Sequence, residues 1–187
     1  MIRPKIGPKI GPKIGPKIGP KIGKVYTIPP QPPVEEHTRR LPAGNLTFGV
    51  EYRMVDPASL QETYAGNDAH LAELFERWPG GGFTDEGVSI HVWGDDGHEY
   101  LRFDVFADDP HYHYNHPGDE VCNNVIDFDV VALGDMLAWV LDRLRTRLGP
   151  MLVEAGGAHL VEALDTATID AALRDVEALA EQARAAR

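Results

Sequence analysis

The chain has 187 residues, 43% hydrophobic and 25% charged, with a net charge of −11. Once roughly 45 residues that read as tail and linker are set aside, about 140 remain, enough for one core and not two. No apolar run approaches the ~18 residues of a spanning helix. The basic start lacks the apolar stretch of a secretory signal, and the single cysteine, Cys122, has no internal disulfide partner, which suits a reducing compartment.

From Pro4 to Gly23 the tetrapeptide Pro-Lys-Ile-Gly runs five times. Residues 1–24 carry seven cations and no acid, so the remainder holds 11 basic residues against 29 acidic ones. Such an acidic body lacks the basic face that phosphate contacts need, which makes nucleic acid an unfavoured partner except through the arm. A proline every fourth residue excludes an α-helix, and a period of four excludes collagen. Extended chain remains, either polyproline II or β. In β geometry the prolines and isoleucines share one side and the lysines and glycines the other. Lys5, Ile6, Lys9, Ile10, Lys13, Ile14, Lys17, Ile18, Lys21 and Ile22 are therefore the candidate membrane and assembly residues. The isoleucines suit acyl chains or further copies of the arm, and the lysines suit anionic headgroups. The alternative is a low-complexity arm with no role beyond solubility. Together these features predict a cytoplasmic protein held peripherally at the inner face of the cell membrane.

The Pro-rich stretch 25–44 reads as a semi-stiff linker. The body, 45–165, is expected to be α+β. In NLTFGVEYRM, Leu46, Phe48, Val50, Tyr52 and Met54 alternate with polar residues, the pattern of a half-buried strand. Short helical pieces follow, with Leu71, Leu74, Phe75 and Trp78 at helical spacing, stopped by the glycines after Pro79. GVSIHVW and HEYLRFDVF flank GDDG, a hairpin signal. Val88, Ile90 and Val92 face inward with Leu101, Phe103 and Val105. HYHYNH and VCNNVIDFDV complete an antiparallel meander of four to five strands covered by helices. Glu99, Asp104 and Asp127 read as charges on the wet face of that sheet. Asp135 is a candidate N-cap for a helix whose stripe is Leu137, Leu141, Leu144 and Leu148, broken at Gly149-Pro150. Residues 166–187 form a C-terminal helix with an apolar line of Ile169, Leu173, Val176, Ala180 and Ala183, for packing on the domain or for self-association.

The richest stretch chemically is DDPHYHYNHPGDEVCNN. On a strand His111 and His113 point one way and Tyr112 and Tyr114 the other, and two imidazoles at i, i+2 with a carboxylate suit a divalent metal. HYHYNHPGDEV resembles the first metal motif of the cupin family, which implies His111, His113, His116 and Glu120 as ligands. The gap from His113 to Glu120 is longer than the cupin pattern, the following glycine is missing, and no second-half histidine strand follows. The other readings are tyrosines inward with rim histidines bonded to neighbouring acids, or a His/Tyr contact surface. No phosphate-binding loop or nucleophile elbow occurs, so a non-enzyme is expected.

HYHYNH…NNVIDFD together with GDMLAWVLDRLRTRLGPMLVEAGG resembles the scaffold, or stalk, subunit of actinobacterial aerobic uptake nickel–iron hydrogenases. That resemblance implies a non-catalytic subunit that oligomerises, gathers the hydrogenase large and small subunits and reaches the membrane. It also implies a tube that conducts menaquinone, with no covalently bound cofactor.

Overall fold

The computed structural model describes residues 23–76 and 82–186. In chain order its elements are β1 (Lys24–Tyr26), β2 (Arg39–Ala43), β3 (Leu46–Val55), α1 (Pro57–Thr63), α2 (Asp68–Phe75), β4 (Asp85–Gly94), β5 (Glu99–Phe106), β6 (His111–His116) and β7 (Cys122–Asp127). The helical layer follows as α3 (Val130–Leu133), α4 (Met136–Thr146), α5 (Leu148–Glu154), a 3-10 turn (Ala158–Ala163) and α6 (Thr166–Ala185).

The α+β expectation holds, but the sheet has seven antiparallel strands in the order β1-β7-β6-β5-β4-β3-β2. The two extra strands come from the stretch expected to be a linker. Neither announces itself: β1 has three residues, and β2 carries Pro42, which an edge strand tolerates because it need not donate into the ladder. Since β1 and β2 lie at opposite edges, residues 27–38 must cross the sheet. Six inter-strand gaps of about 4.8 Å make that crossing about 29 Å. Twelve residues reach it only when extended, the state that Pro29, Pro30, Pro32 and Pro33 favour. The prolines therefore serve a strap rather than a spacer.

The sheet is covered on both sides. On one side Phe48, Val50, Val88, Ile90, Leu101 and Phe103 pack against α4 and α6 in a single apolar core. All four leucines of the α4–α5 stripe are buried, and Ile169, Leu173, Val176 and Ala180 face the same core from α6. Asp135 caps α4 by accepting the Ala138 N–H at 2.9 Å. The break falls at Arg147, which lets Pro150 sit in the first turn of α5, where no amide donor is required. The GDDG hairpin forms as expected, with the Gly97 N–H donating to Gly94 O at 3.0 Å.

The other side is also enclosed, by the strap with α1 and α2. Tyr26, Ile28 and Val125 form a second small core there, with Leu74 of α2 against it. This overturns the expectation of a wet face for Glu99 and Asp104, whereas Asp127 is exposed as expected. The arm residues from Lys5 to Ile22, and Trp78 beyond α2, lie outside the described residues. Among the described residues no helix is long and apolar enough to cross a membrane.

Candidate functional site

The β5–β6 hairpin creates the site. Its register sets Asp104 opposite His111 and Arg102 opposite His113, so four side chains emerge side by side on the strap-covered face. The connecting loop is shaped by Asp85 on β4. One Asp85 oxygen accepts the N–H groups of Glu86 at 2.9 Å and of Ala107 and Asp108 at 3.1 Å, and the other accepts that of Asp109 at 2.7 Å. This holds the Asp109 carbonyl where His111 Nδ1 reaches it at 2.6 Å. A carbonyl only accepts, so Nδ1 carries a proton and Nε2 is aimed inward. His113 repeats the arrangement, with Nδ1 at 2.7 Å from Asn123 Oδ1 on β7.

Both Nε2 atoms converge on one carboxylate oxygen. Asp104 Oδ2 lies 3.3 Å from His111 Nε2 and 3.0 Å from His113 Nε2, and the three ligand atoms lie within 4.8 Å of one another. The Ser89 hydroxyl donates to Asp104 Oδ1, which leaves Oδ2 to face the rings. Burial alone would raise the Asp104 carboxyl, but His111 and His113 hold it well below the usual carboxylate range. Burial also pushes His113 below its ordinary value, against the pull of Asp104. An ionised carboxylate this deeply buried needs a positive charge beside it, and either a proton on Nε2 or a metal ion supplies one. The spacing suits an ion. Donors bound at about 2.0–2.2 Å to one metal stand about 2.9 Å apart at a right angle and about 3.4 Å at the tetrahedral angle.

The surroundings have the same deficit. Glu51, Asp85, Glu99 and Asp104 bring four carboxylates to this layer, against the guanidiniums of Arg53 and Arg102. Arg102 forks onto Glu99 at 2.9 and 2.6 Å and donates to the Gln31 carbonyl of the strap at 2.7 Å. Burial opposes the charge on Glu99, but Arg102 and His91 bring its carboxyl down to about 2. Arg53 donates to the Gln31 and Pro32 carbonyls at 3.2 and 3.4 Å, and Glu51 accepts the Val34 N–H at 3.0 Å. The strap is thus tied to buried charges through its backbone. Fully buried His91 lies 2.5 Å from Glu99 and 3.3 Å from Glu51 and stacks on Trp93, while Gly49 leaves room for the Trp93 ring: a Cβ there would come within 2.4 Å of it.

Above Asp104, His111 and His113 lies a pocket of about 90 Å³, roofed by Pro29 and Pro30 and walled by Val55, Leu60, Leu74 and Phe106. Tyr64 of this wall donates to the Pro29 carbonyl at 2.8 Å, and burial raises its hydroxyl to about 12.

Of the four residues named by the cupin resemblance, only His111 and His113 meet. His116 points to the opposite face, where its Nδ1 lies 3.8 Å from where a Cβ on Gly156 would stand, and Glu120 is exposed in the 117–121 turn. The open sheet, with β1 and β2 at its edges, is not a cupin barrel. The expectation of tyrosines inward is met: Tyr112 stacks on Phe103 with centroids 6.0 Å apart, under Trp139 of α4. The carboxylate that meets the histidines is Asp104, set aside as a solvent-facing charge. The signal was the hairpin: once β5 and β6 are neighbours, Asp104 falls opposite His111.

The class this defines is an α+β domain with a buried two-histidine, one-carboxylate cluster beneath a proline strap. The chain belongs to the family described as Domain of unknown function (DUF7700), which matches residues 40–180 and so includes the cluster. No curated protein and no solved structure matches it.

Proposed function

We propose that this domain binds one divalent first-row transition metal through Asp104 Oδ2, His111 Nε2 and His113 Nε2. The observation that carries the reading is convergence: His111 Nε2, His113 Nε2 and one Asp104 oxygen lie within 4.8 Å of one another, while each Nδ1 is engaged by an acceptor outside the cluster. Ser89, Asn123 and the Asp109 carbonyl orient the ligands as outer partners do in metal centres. Cys122 lies on the opposite face from Asn123, so the set is nitrogen and oxygen only, suited to Zn²⁺, Fe²⁺, Co²⁺ or Mn²⁺. Three protein ligands leave positions open toward the pocket.

Calorimetry of the chelator-treated full chain with Zn²⁺ and Co²⁺ tests this. One ion per chain is expected, with binding lost in Asp104→Asn and His113→Ala and weakened about 10-fold or more in Asn123→Ala. His116→Ala and Glu120→Gln should bind as the native chain does. No uptake by the native chain overturns the proposal.

A second reading is the assembly role that the hydrogenase-scaffold resemblance implies, with the arm at an anionic membrane. Among the described residues it draws support from α3, where Val130, Val131 and Leu133 are 53, 94 and 49% exposed on one four-residue helix. Contiguous exposed apolar side chains of this kind suit a protein contact. Light scattering of the full chain, and liposome flotation with and without residues 1–24, test it; a monomer that does not float counts against both parts.

A further inference from the structure

We infer that a groove beside α3 is the seat of the chain's own basic arm, with Ile18 and Ile22 in the groove and Lys17 and Lys21 on the acids around it. This stands apart from the metal reading and does not depend on it. The groove, of about 480 Å³, opens between the ends of β3, β4 and β5 and the corner formed by α3 and α4. Val105, Phe106, Pro110, Val130 and Met136 supply its apolar wall, and exposed Met54 lies opposite Glu86 at its far end. A cavity of about 150 Å³ accommodates benzene, so this one has room for about two isoleucine side chains.

The arm joins the body at that corner. β1 runs antiparallel to β7, so its N-terminal end stands at the end of β7 that leads into Phe128, Asp129 and α3. The Phe128 N–H donates to the Pro110 carbonyl at 2.9 Å, which brings that path to the groove wall. The ladder stops at Gly23, whose φ of +86° takes the chain out of strand geometry. Five inter-strand gaps of about 4.8 Å separate β1 from β3, about 24 Å in all. Eight residues of extended repeat, at about 3.1 Å each, cover about 25 Å, so the two repeats nearest the body, 16–23, span the groove. Charge favours this occupant. No lysine or arginine occurs between Arg102 and Arg143, the stretch that builds the corner, while Asp108, Asp127 and Asp129 are exposed there. Within the lining, Arg184 is bonded to Asp135 at 2.9 Å and Glu86 adds a further acid. A ribbon with isoleucines on one side and lysines on the other meets both demands at once.

Amide NMR of the full chain tests this, comparing the native protein with Ile18→Ser plus Ile22→Ser and with Lys17→Glu plus Lys21→Glu. These changes lie outside the folded body, so a lost contact is not a lost fold. In the native chain residues 18 and 22 should relax as slowly tumbling parts of the body. In both variants they should lose that behaviour, with shift changes at Gly87, Ala107, Val130 and Gly134. Raising salt from about 0.1 M to about 1 M, which cuts the Debye length from about 10 to about 3 Å, should weaken the contact without abolishing it. All of this should be unchanged on tenfold dilution. If those four amides do not differ between native chain and variants, or residues 18 and 22 move independently of the body, the inference is overturned. A contact that fades on dilution together with the mass measured by light scattering gives the groove to the arm of a second copy, and overturns it as well.

Discussion

The two faces of one sheet are buried by different physics. On the helix side, Phe48, Ile90, Leu101 and Phe103 meet Leu141, Leu144 and Leu173, and burial of hydrocarbon holds the layers together. On the strap side the same strands present Glu51, His91, Arg102, Asp104 and His113, each at least nine-tenths buried. Charge removed from water is stabilised only when it is paired, so that face depends on specific partners rather than on area. An apolar face tolerates some repacking, whereas a charged one fails at once when a partner is removed. Such a face stabilises little for its cost, which points to a role beyond holding the fold.

The sharpest break should come from Arg102→Ala. It strands Glu99 and the Gln31 carbonyl together, and a loss of about 3–5 kcal/mol is expected in urea unfolding. Replacing the pair, Arg102→Leu with Glu99→Leu, should recover part of that loss, because the stranded carboxylate is gone while the Gln31 carbonyl and His91 still lose their partners. Leu144→Ala on the opposite face should cost about 2–5 kcal/mol through the cavity it leaves, without altering metal uptake. That separation of stability from binding is the comparison in its simplest form.

Metal supplies the next contrast. Adding Zn²⁺ at 100 times its dissociation constant should stabilise the native chain by about 2.7 kcal/mol and leave Asp104→Asn unchanged, read as the shift in unfolding midpoint. An equal shift in both would place the ion elsewhere. Acid gives an effect of similar size, through Glu99. Its folded carboxyl sits at about 2 against an ordinary 4.5. The stabilisation is therefore complete above pH 4.5 and drains away as pH falls toward 2, on the order of 3 kcal/mol in all. Glu99→Gln should flatten that part of the pH profile. The smallest effect is expected at the exposed α3 helix: Val131→Ser should change stability by no more than about 0.5 kcal/mol. Any change there should appear only in the mass measured by light scattering.

Much of the apolar face was legible in the linear chain. Alternation over 46–54, 88–92 and 101–105, and the stripe from Leu137 to Leu148, locate the layers because side-chain direction follows a fixed period in strands and helices. Asp135 reads as a cap for an equally local reason. The histidine strand was also legible, down to which way His111, His113, Tyr112 and Tyr114 point. Its third partner was not, because the motif continues forward along the chain to Glu120, while the hairpin folds back and offers Asp104. The stretch 25–44 resisted reading because prolines in a strap and prolines in a linker look alike.

The sequence by itself determined the periods, the caps, the hairpin and the charge imbalance between arm and body, since each depends on neighbours a few residues apart. Only the tertiary structure decided that the charged side of the sheet is enclosed. That outcome depends on β1 and β2 lying at opposite edges, which forces residues 27–38 across Arg53, Arg102 and the histidines. Register across strands then did the rest: it placed one carboxylate oxygen 3.0 and 3.3 Å from two imidazole nitrogens, a coincidence that no local pattern records.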